Sequence, residues 1–586
     1  MPASKPASQG AAKPTRARAK TPRNKQAKLP SQDALRAALQ QFGHDRFRPG
    51  QERIIHDLLR GRDVLAVLPT GAGKSLVYQL AAQFLDGVTL VVSPLIALMK
   101  DQVETINEQG VGASVINSTQ GEAEAEDELD KVKQHQTRLL YITPERFQDE
   151  DFLADLAGTP VGLFVVDEAH CVSEWGHSFR PAYLGLAGAA ERLGRPTMLA
   201  LTATATPWIR TEIIDRLGLR DPDLVVREID RPNLFLEVRR LETEHEVRQT
   251  LHDLFLGDAE EYPEDLAGQL RAAMQGSGIV YTATTRAAQE TADWLNGWGI
   301  PADYYHGQRK KADRDRVQDA FMAGDLRVIA ATNAFGMGVD KPDVRFVVHC
   351  DIPGSLEAYY QEAGRAGRDG AFARCTLLYR PADLGQAAFL SGGGHLTPDD
   401  IEQARAGLRA QPEGTIEELA EATGLSAGDA ARAVTLLRRA GIVEEKEGRV
   451  RLLVADFDPA TISLEDEESR RAYDRSRLDM MRGYAETDAC RRRYILNYFG
   501  DDYPEEACGL CDNDVRRAGE APVVVTKEAE VDLPFALGDR VVHASLGEGV
   551  VQRLTGAGIT ILFDKAGYKT LAADVVQDNG LLKPLE

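Results

Sequence analysis

A chain of 586 residues exceeds what one hydrophobic core usually organises, and a 43% hydrophobic content supplies apolar surface for several domains. No apolar run approaches a membrane span, so no membrane partner is expected, and six cysteines, three of them scattered at Cys171, Cys350 and Cys375, build no disulfide framework, which points to a reducing cytoplasm. The net charge of -22 argues against a general polyanion binder, but eight cations precede the first acid, Asp33, so the charge is strongly uneven.

Residues 1–31 are rich in Pro, Ala, Ser and Lys and nearly free of large apolar side chains. Such a segment cannot offset its ordering entropy and is expected to be a disordered basic tail, either an electrostatic arm for DNA or a solubiliser.

The run Leu65-Ala66-Val67-Leu68 predicts a buried strand, followed by the turn Pro69-Thr70-Gly71-Ala72-Gly73-Lys74-Ser75 and a helix. Gly71 and Gly73 allow close backbone approach to phosphate, Lys74 neutralises the outer phosphates, and Ser75 can ligate magnesium, with Thr70 and Ala72 completing the loop. The strict phosphate-loop pattern asks for Gly at position 68, where Leu stands. A second buried run, Leu163-Phe164-Val165-Val166, should bring Asp167 and Glu168 to the same edge of a parallel sheet. Asp167 is expected to hold magnesium through water, Glu168 to orient and deprotonate the attacking water, and His170 to sense the nucleotide. Trp175, His177 and Phe179 then offer stacking faces for unpaired bases, worth about 1–3 kcal/mol per base, and Arg180 can meet phosphate.

Further along, 278–282 and 328–332 predict strands of a second sheet, and 257–278 suggests a charged connector with some helical content between the two halves. Gln361-Glu362-Ala363-Gly364-Arg365-Ala366-Gly367-Arg368 places two arginines between glycines on an expected loop and helix start. Arg365 and Arg368 are assigned to the outer phosphates, with Arg368 favoured as the finger that stabilises transition-state charge and Gln361 beside them. A phosphate loop, an acidic pair and distant arginines together predict an ATP-driven motor whose second lobe closes on the first.

These motifs resemble those of RecQ-family DNA helicases of superfamily two. Phe42-Gly43-His44-Asp45-Arg46-Phe47-Arg48-Pro49-Gly50-Gln51-Glu52 is similar to the family's adenine-reading motif, which implies base contacts from Arg48 and Gln51. Leu201 to Thr206 is similar to its coupling motif, Cys171 to Pro181 to its aromatic-rich loop, and Ala334 to Pro342 to its fifth motif. Glu174 departs from the family's Gln, adding negative charge beside the expected strand path. The resemblance resumes at Cys490-Arg491-Arg492-Arg493-Tyr494 and implies a zinc site of Cys490, Cys508 and Cys511. Asp514 stands where the fourth family cysteine would fall, with Asp512 or solvent as alternatives.

The implied architecture is α/β, with RecA-like domains at 32–210 and 211–380 of parallel sheet. A winged-helix-like domain at 395–455, a helical zinc-binding domain at 456–515, a linker at 516–530 and a small β-barrel at 531–586 follow. In the winged-helix-like segment Arg432, Arg438 and Arg439 suit duplex phosphate, whereas Glu444, Glu445 and Glu447 suit a packing or protein-contact role. The barrel resembles the Tudor-like module of UvrD-type helicases, which implies a partner such as RNA polymerase; a passive cap on the helicase body is the alternative. The implied function is a 3'-to-5' DNA helicase using ATP, Mg2+ and Zn2+ on single-stranded and duplex DNA in repair or recombination. An RNA helicase, a protein-stripping translocase and an ATP-switched DNA-binding regulator stay open as alternatives.

Overall fold

The computed structural model describes residues 29–585, apart from residue 70 and residues 118–119, 174–179, 228, 258–260, 337–340, 393–395, 447–448, 502, 520–533, 537–538, 556–557 and 565. The basic tail, Thr70 and the aromatic residues Trp175, His177 and Phe179 therefore lie outside the described residues, apart from the tail's last few positions.

The first sheet holds β1 (Val64–Val67), β2 (Val88–Val92), β3 (Ala113–Ile116), β4 (Leu139–Ile142), β5 (Val161–Val166), β6 (Thr197–Thr202) and β7 (Asp223–Val226). Its order is β3-β4-β2-β5-β6-β1-β7, parallel throughout. Strands β1, β2 and β4 are buried at every position, which is why they read as unbroken apolar runs rather than as alternation. Taking β7 as its edge, this lobe runs past residue 210, and the chain then crosses to the second lobe through residues 229–233.

The second sheet holds β8 (Leu234–Arg240), β9 (Ser277–Tyr281), β10 (Ala302–Tyr305), β11 (Val328–Ala331), β12 (Val344–His349) and β13 (Ala373–Tyr379). These strands are parallel in the order β10-β11-β9-β12-β13-β8. The segment expected to be a charged connector instead belongs to this lobe. Its Glu264–Gln275 helix buries Ala267 and Leu270 against Phe235 of β8, because helical spacing gathers the apolar residues on one face however charged the other is.

Three helices, Pro398–Ala410, Ile416–Thr423 and Ala427–Arg439, follow, with an antiparallel sheet of β14 (Glu413–Thr415), β15 (Val443–Lys446) and β16 (Arg449–Leu452) in the order β14-β16-β15. Thr397 and Thr415 start their helices with reciprocal capping boxes, and Gly424 makes the turn between the second and third at φ +75°. Arg438 pairs with Glu445 at 3.0 Å and Arg432 with Asp429, so both arginines are engaged by acids of their own module.

The helices Glu465–Glu486, Arg491–Phe499 and Asp512–Gly519 pack on the second lobe. Tyr484, Cys490, Tyr498 and Cys511 share one apolar cluster with Leu236, Tyr359 and Cys375. The chain closes with an antiparallel sheet of β17 (Arg540–His543), β18 (Gly547–Thr555), β19 (Gly558–Phe563), β20 (Gly567–Ala572) and β21 (Leu582–Pro584), ordered β20-β19-β18-β17-β21. Leu562 and Tyr568 join the same cluster, so this sheet is seated on the helicase body.

Inside the second lobe, Glu237 of β8 is 1% exposed at its side chain and pairs with Arg374 of β13 at 2.7 Å. Burial alone would push this carboxyl up, but the charges of Arg374 and Arg239 and hydrogen bonds from Arg374 and Thr376 hold it at about 2. The pair's contribution is therefore present above the ordinary Glu range and is lost only as pH falls toward 2. Arg374→Met strands a buried carboxylate and should lower unfolding stability by about 3–5 kcal/mol, read as a drop in the urea midpoint at neutral pH. A midpoint equal to wild type would show that the pair is dispensable.

Candidate functional site

At the carboxyl edge of β1 the chain turns through Gly71, at φ +83°, and Gly73, at φ +73°, into the Lys74–Ala82 helix. Left-handed conformations at both positions are available to Gly at little cost, and they bring the turn round to face the helix N-terminus, where unpaired N–H groups favour anions. Two strands away, β5 delivers Asp167 and Glu168 to the same edge. Glu168 itself lies at φ +47°, a strained setting for a residue with a Cβ and one that recurs at active sites.

A cleft of about 490 Å³ opens there, the size of a small-molecule site. Its first-lobe wall carries Arg48, Gln51, Gly71, Gly73, Lys74, Ser75, Asp167 and Glu168; its second-lobe wall carries Gly336, Gln361, Arg365 and Arg368. Residues spread over more than 300 positions of sequence thus meet in one cavity. Arg368 reaches furthest across: a Cβ built on Gly71 would stand 3.7 Å from its Cγ. Arg365, 7% exposed, donates to the Gly336 carbonyl, and a Cβ at Gly336 would sit 2.7 Å from its Nη2, so that glycine makes room for the guanidinium. Both arginines lie in turns after the Leu356–Ala363 helix rather than at a helix start, because Gly364 and Gly367 end the helix and the latter adopts φ +58°.

Gln51 accepts from the Arg48 amide at 2.8 Å and donates to the Ala72 and Gly73 carbonyls at 3.0 and 3.1 Å. It ties the 48–51 turn to the phosphate loop. His170 stands one layer behind the cavity: its Nδ1 lies 3.0 Å from Thr202 Oγ1 and 3.4 Å from a Glu168 carboxylate oxygen. Burial holds its imidazole below the ordinary His value despite Glu168, so the neutral ring bridges the acidic pair and the 201–206 segment. Arg180, at the exit of the aromatic-rich loop, donates its amide to the Cys171 carbonyl at 3.0 Å and approaches Glu145 at 4.0 Å.

The donor set tests magnesium. Burial first, and the charge of Glu168 second, push the Asp167 carboxyl up to about 7 against the opposing pull of Lys74. A buried Asp167 and a partly exposed Glu168 lining one cleft with the Ser75 side chain carry a charge penalty that a hard divalent cation offsets, so Ser75 and Asp167 fit such an ion.

Two residues not singled out from sequence prove central. Arg231, in the crossing between lobes, donates to the carbonyls of Gly364, Ala366 and Gly367 at 2.7–2.9 Å, and Asn233 donates to Gly367 and Ala371. Together they hold the backbone of the arginine turn. The only sequence signal was a polar Asp230-Arg231-Pro232-Asn233 turn between strands.

A second site lies in the helical module. Ligand atoms of Cys490, Cys508, Cys511 and Asp514 all lie within 4.8 Å of one another, compatible with four donors around one tetrahedral zinc. Asp514 Oδ2 accepts from the amides of Cys508 and Gly509, and its buried carboxylate stands beside the three sulfurs, where it could ligate a shared metal. Asp512, the alternative donor, is excluded by its commitments: both oxygens meet Arg491, and Oδ2 also accepts from the Val238 amide. Arg492 donates to Asp230 and to the Leu234 carbonyl, so Arg492, with the Val238 amide bond to Asp512, fastens the module to the second lobe.

Two parallel-sheet lobes gripping a triphosphate-sized cleft, with acids on one wall and arginines on the other, define a nucleoside-triphosphate-driven motor of the helicase type. Family models agree in chain order: a DEAD/DEAH box helicase domain matches residues 48–211, a helicase conserved C-terminal domain 261–370 and a RecQ zinc-binding domain 442–515. The ATP-dependent DNA helicase RecQ of Bacillus subtilis is 35% identical over 84% of this chain and 68% of its own length. The same organism's probable ATP-dependent DNA helicase RecS is 35% identical over 81% of this chain and 91% of its own. The RecQ helicase of Pasteurella multocida is 40% identical over 58% of this chain and 51% of its own. The chain belongs to the RecQ family of ATP-dependent DNA helicases.

Arg231→Ala should leave the KM for ATP within about twofold while lowering kcat roughly 100-fold, since it loosens the arginine turn without touching the phosphate loop. Equal losses in ATP binding and turnover would contradict a role confined to that turn. For the metal, Asp514→Ala should cut zinc retained through purification, and Asp514→Cys should restore it, measured by elemental analysis; one zinc per chain in Asp514→Ala would assign the fourth position elsewhere.

Proposed function

We propose that this protein is a 3'-to-5' DNA helicase that translocates on single-stranded DNA and opens duplex or branched DNA in repair or recombination. The observation that carries the motor reading is the approach of Arg368 to Gly71 across the cleft. In this mechanism ATP binds with its outer phosphates at Lys74 and the helix N-terminus, and Arg48 and Gln51 line the base end of the same cleft. Magnesium, when bound at Ser75 and Asp167, neutralises charge on the outer phosphates. Glu168, which lines the cavity, orients and deprotonates the attacking water. Arg368 stabilises charge in the transition state and Arg365 secures the turn that carries it.

His170 passes the state of Glu168 to Thr202 and so to the 201–206 segment. Alternation of closed and open lobes, each holding the strand in turn, becomes stepping. The aromatic-rich loop with Trp175, His177, Phe179 and Arg180 follows directly on His170, so strand contact there is coupled to the hydrolytic acids. RecQ membership favours DNA over RNA, and the pairing of Glu168 with Arg368 favours turnover over a conformational switch.

The 395–455 module has the helix and strand order of a winged helix. With Arg432 and Arg438 held by Asp429 and Glu445, a packing role suits it better than phosphate binding. The terminal sheet, with Leu562 and Tyr568 buried in the helicase core, is assigned to the motor body rather than to an RNA polymerase.

Duplexes with a 3' or a 5' single-stranded tail, supplied with ATP, test the direction. Opening should be confined to the 3'-tailed substrate, with ATPase stimulation by single-stranded DNA well above that by RNA. Opening of the 5'-tailed substrate alone would reverse the polarity, and stronger stimulation by RNA would move the substrate class.

A further inference from the structure

The Arg491–Phe499 helix ends in a tight glycine turn. Gly500 adopts φ +80°, its amide donates to the Asn497 carbonyl at 3.2 Å, and the Asp501 amide donates to the Leu496 carbonyl at 3.0 Å. These two bonds fix the backbone from which the Asp501 carboxylate projects. An acid at this end of a helix opposes the helix dipole, so its local setting disfavours it. Its partner is distant: Asp501 Oδ2 accepts from the Ile229 amide at 3.1 Å, 272 positions earlier in the chain.

Ile229 is buried at the start of the crossing between the lobes, and its carbonyl accepts from the Tyr360 hydroxyl of the Leu356–Ala363 helix. The residues after it are held in the same manner. Asp230 accepts from Arg492 of the helical module at 2.9 Å, whereas Arg231 donates to the carbonyls of Gly364, Ala366 and Gly367, and Asn233 donates to those of Gly367 and Ala371. The rings of Tyr360 and Phe499 lie 5.6 Å apart at 49° and close the same gap. The crossing is therefore gripped by the helical module on one side and grips the arginine turn on the other.

The first lobe meets the same glycine turn. Arg210 of the Pro207–Leu217 helix donates through Nε to the Ala205 carbonyl at 2.9 Å and through Nη2 to the Phe499 carbonyl at 3.0 Å. A Cβ at Gly500 would lie 2.9 Å from Pro207 Cγ, so only glycine lets the turn approach that helix so closely. Burial draws the Arg210 guanidinium below its ordinary value, and the nearby charge of Asp501 opposes that pull. Residues 499–501 thus touch the first lobe and the crossing at once.

We propose that Asp501 is a positioning residue for ATP turnover, which holds the Ile229 amide and so fixes the crossing from which Arg231 and Asn233 hold the turn that carries Arg365 and Arg368. The proposal rests on the two-lobe motor reading above. It gives the helical module a share in placing the arginines that is separate from its hold on zinc. Asp501 is only half-buried, so replacing it leaves the apolar core of the module intact.

Full-length wild type, Asp501→Ala, Asp501→Asn, Arg231→Ala and the double variant Asp501→Ala with Arg231→Ala are compared for kcat and KM of the ATPase, melting temperature and zinc retained through purification. Asp501→Ala should keep its KM for ATP within about twofold and lower kcat roughly tenfold, with zinc at the wild-type level. Asp501→Asn, whose amide oxygen can still accept from Ile229, should recover most of that loss. The double variant should turn over no more slowly than Arg231→Ala alone, since both act through one path. A wild-type kcat in Asp501→Ala overturns the proposal, and so do losses that multiply in the double variant. Loss of zinc and a lowered melting temperature, with KM and kcat both impaired, would also overturn it and make Asp501 a residue of the fold. Failure of the wild type to open duplex DNA would fall on the motor reading instead, because the comparison of kcat stands on ATP hydrolysis alone.

Discussion

The triphosphate has to be gripped from two sides, and neither side is complete alone. Lys74, Ser75, Asp167 and Glu168 are held at the carboxyl edge of one parallel sheet, whereas Arg365 and Arg368 belong to a turn of another. Charge that develops on transferring phosphoryl oxygens is stabilised only when donors are already aimed at it, so turnover depends on where the second lobe stands. In the proposed mechanism this ties hydrolysis to lobe position.

That dependence explains where the chain invests its buried polar groups. Arg231 and Asn233 hold the arginine turn by its carbonyls, and Gln51 holds the phosphate loop by its own. Arg491 with Asp512 ties two helices of the zinc-binding module together, and Arg492 with Asp230 reaches out of it to the crossing between the lobes. Arg477 and Tyr498 converge on Glu357 from the same module. Buried ion pairs often add little net stability over apolar packing, but breaking one is expensive, so they favour one arrangement over neighbouring ones. Here they stiffen each lobe, while the contacts across the lobes, such as Arg210 to the Phe499 carbonyl, are single bonds of ordinary length that a small movement can exchange.

The zinc module and the terminal sheet are best understood together. They share one apolar cluster with the second lobe, so their attachment is that of a core and not of a tether. Through Tyr498, Gly500 and Tyr568 they also reach the Thr206 end of the first lobe.

Much of the local pattern was legible from the chain itself. A phosphate loop needs glycines and a lysine at set spacing and a buried strand needs an apolar run, both short-range requirements written in consecutive residues, whereas the zinc site was implied by the family resemblance. The paired strands of the two lobes and the helices around Gly424 follow from the same periodicities. Misplaced or unseen were the features that depend on distant partners. The 257–278 segment looked like a connector because its charges are exposed, while its few apolar residues find Phe235 only in the folded lobe. Arg231 carried no motif, since its partners are backbone carbonyls more than 130 residues away. Which of Asp512 and Asp514 faces the cysteines was decided by Arg491, and whether the terminal strands stand free or join the motor was decided by Leu562 and Tyr568. Sequence alone determined the chemical groups and the class of protein; tertiary structure alone decided their partners, because burial and hydrogen-bond competition act between residues that the linear chain does not place side by side.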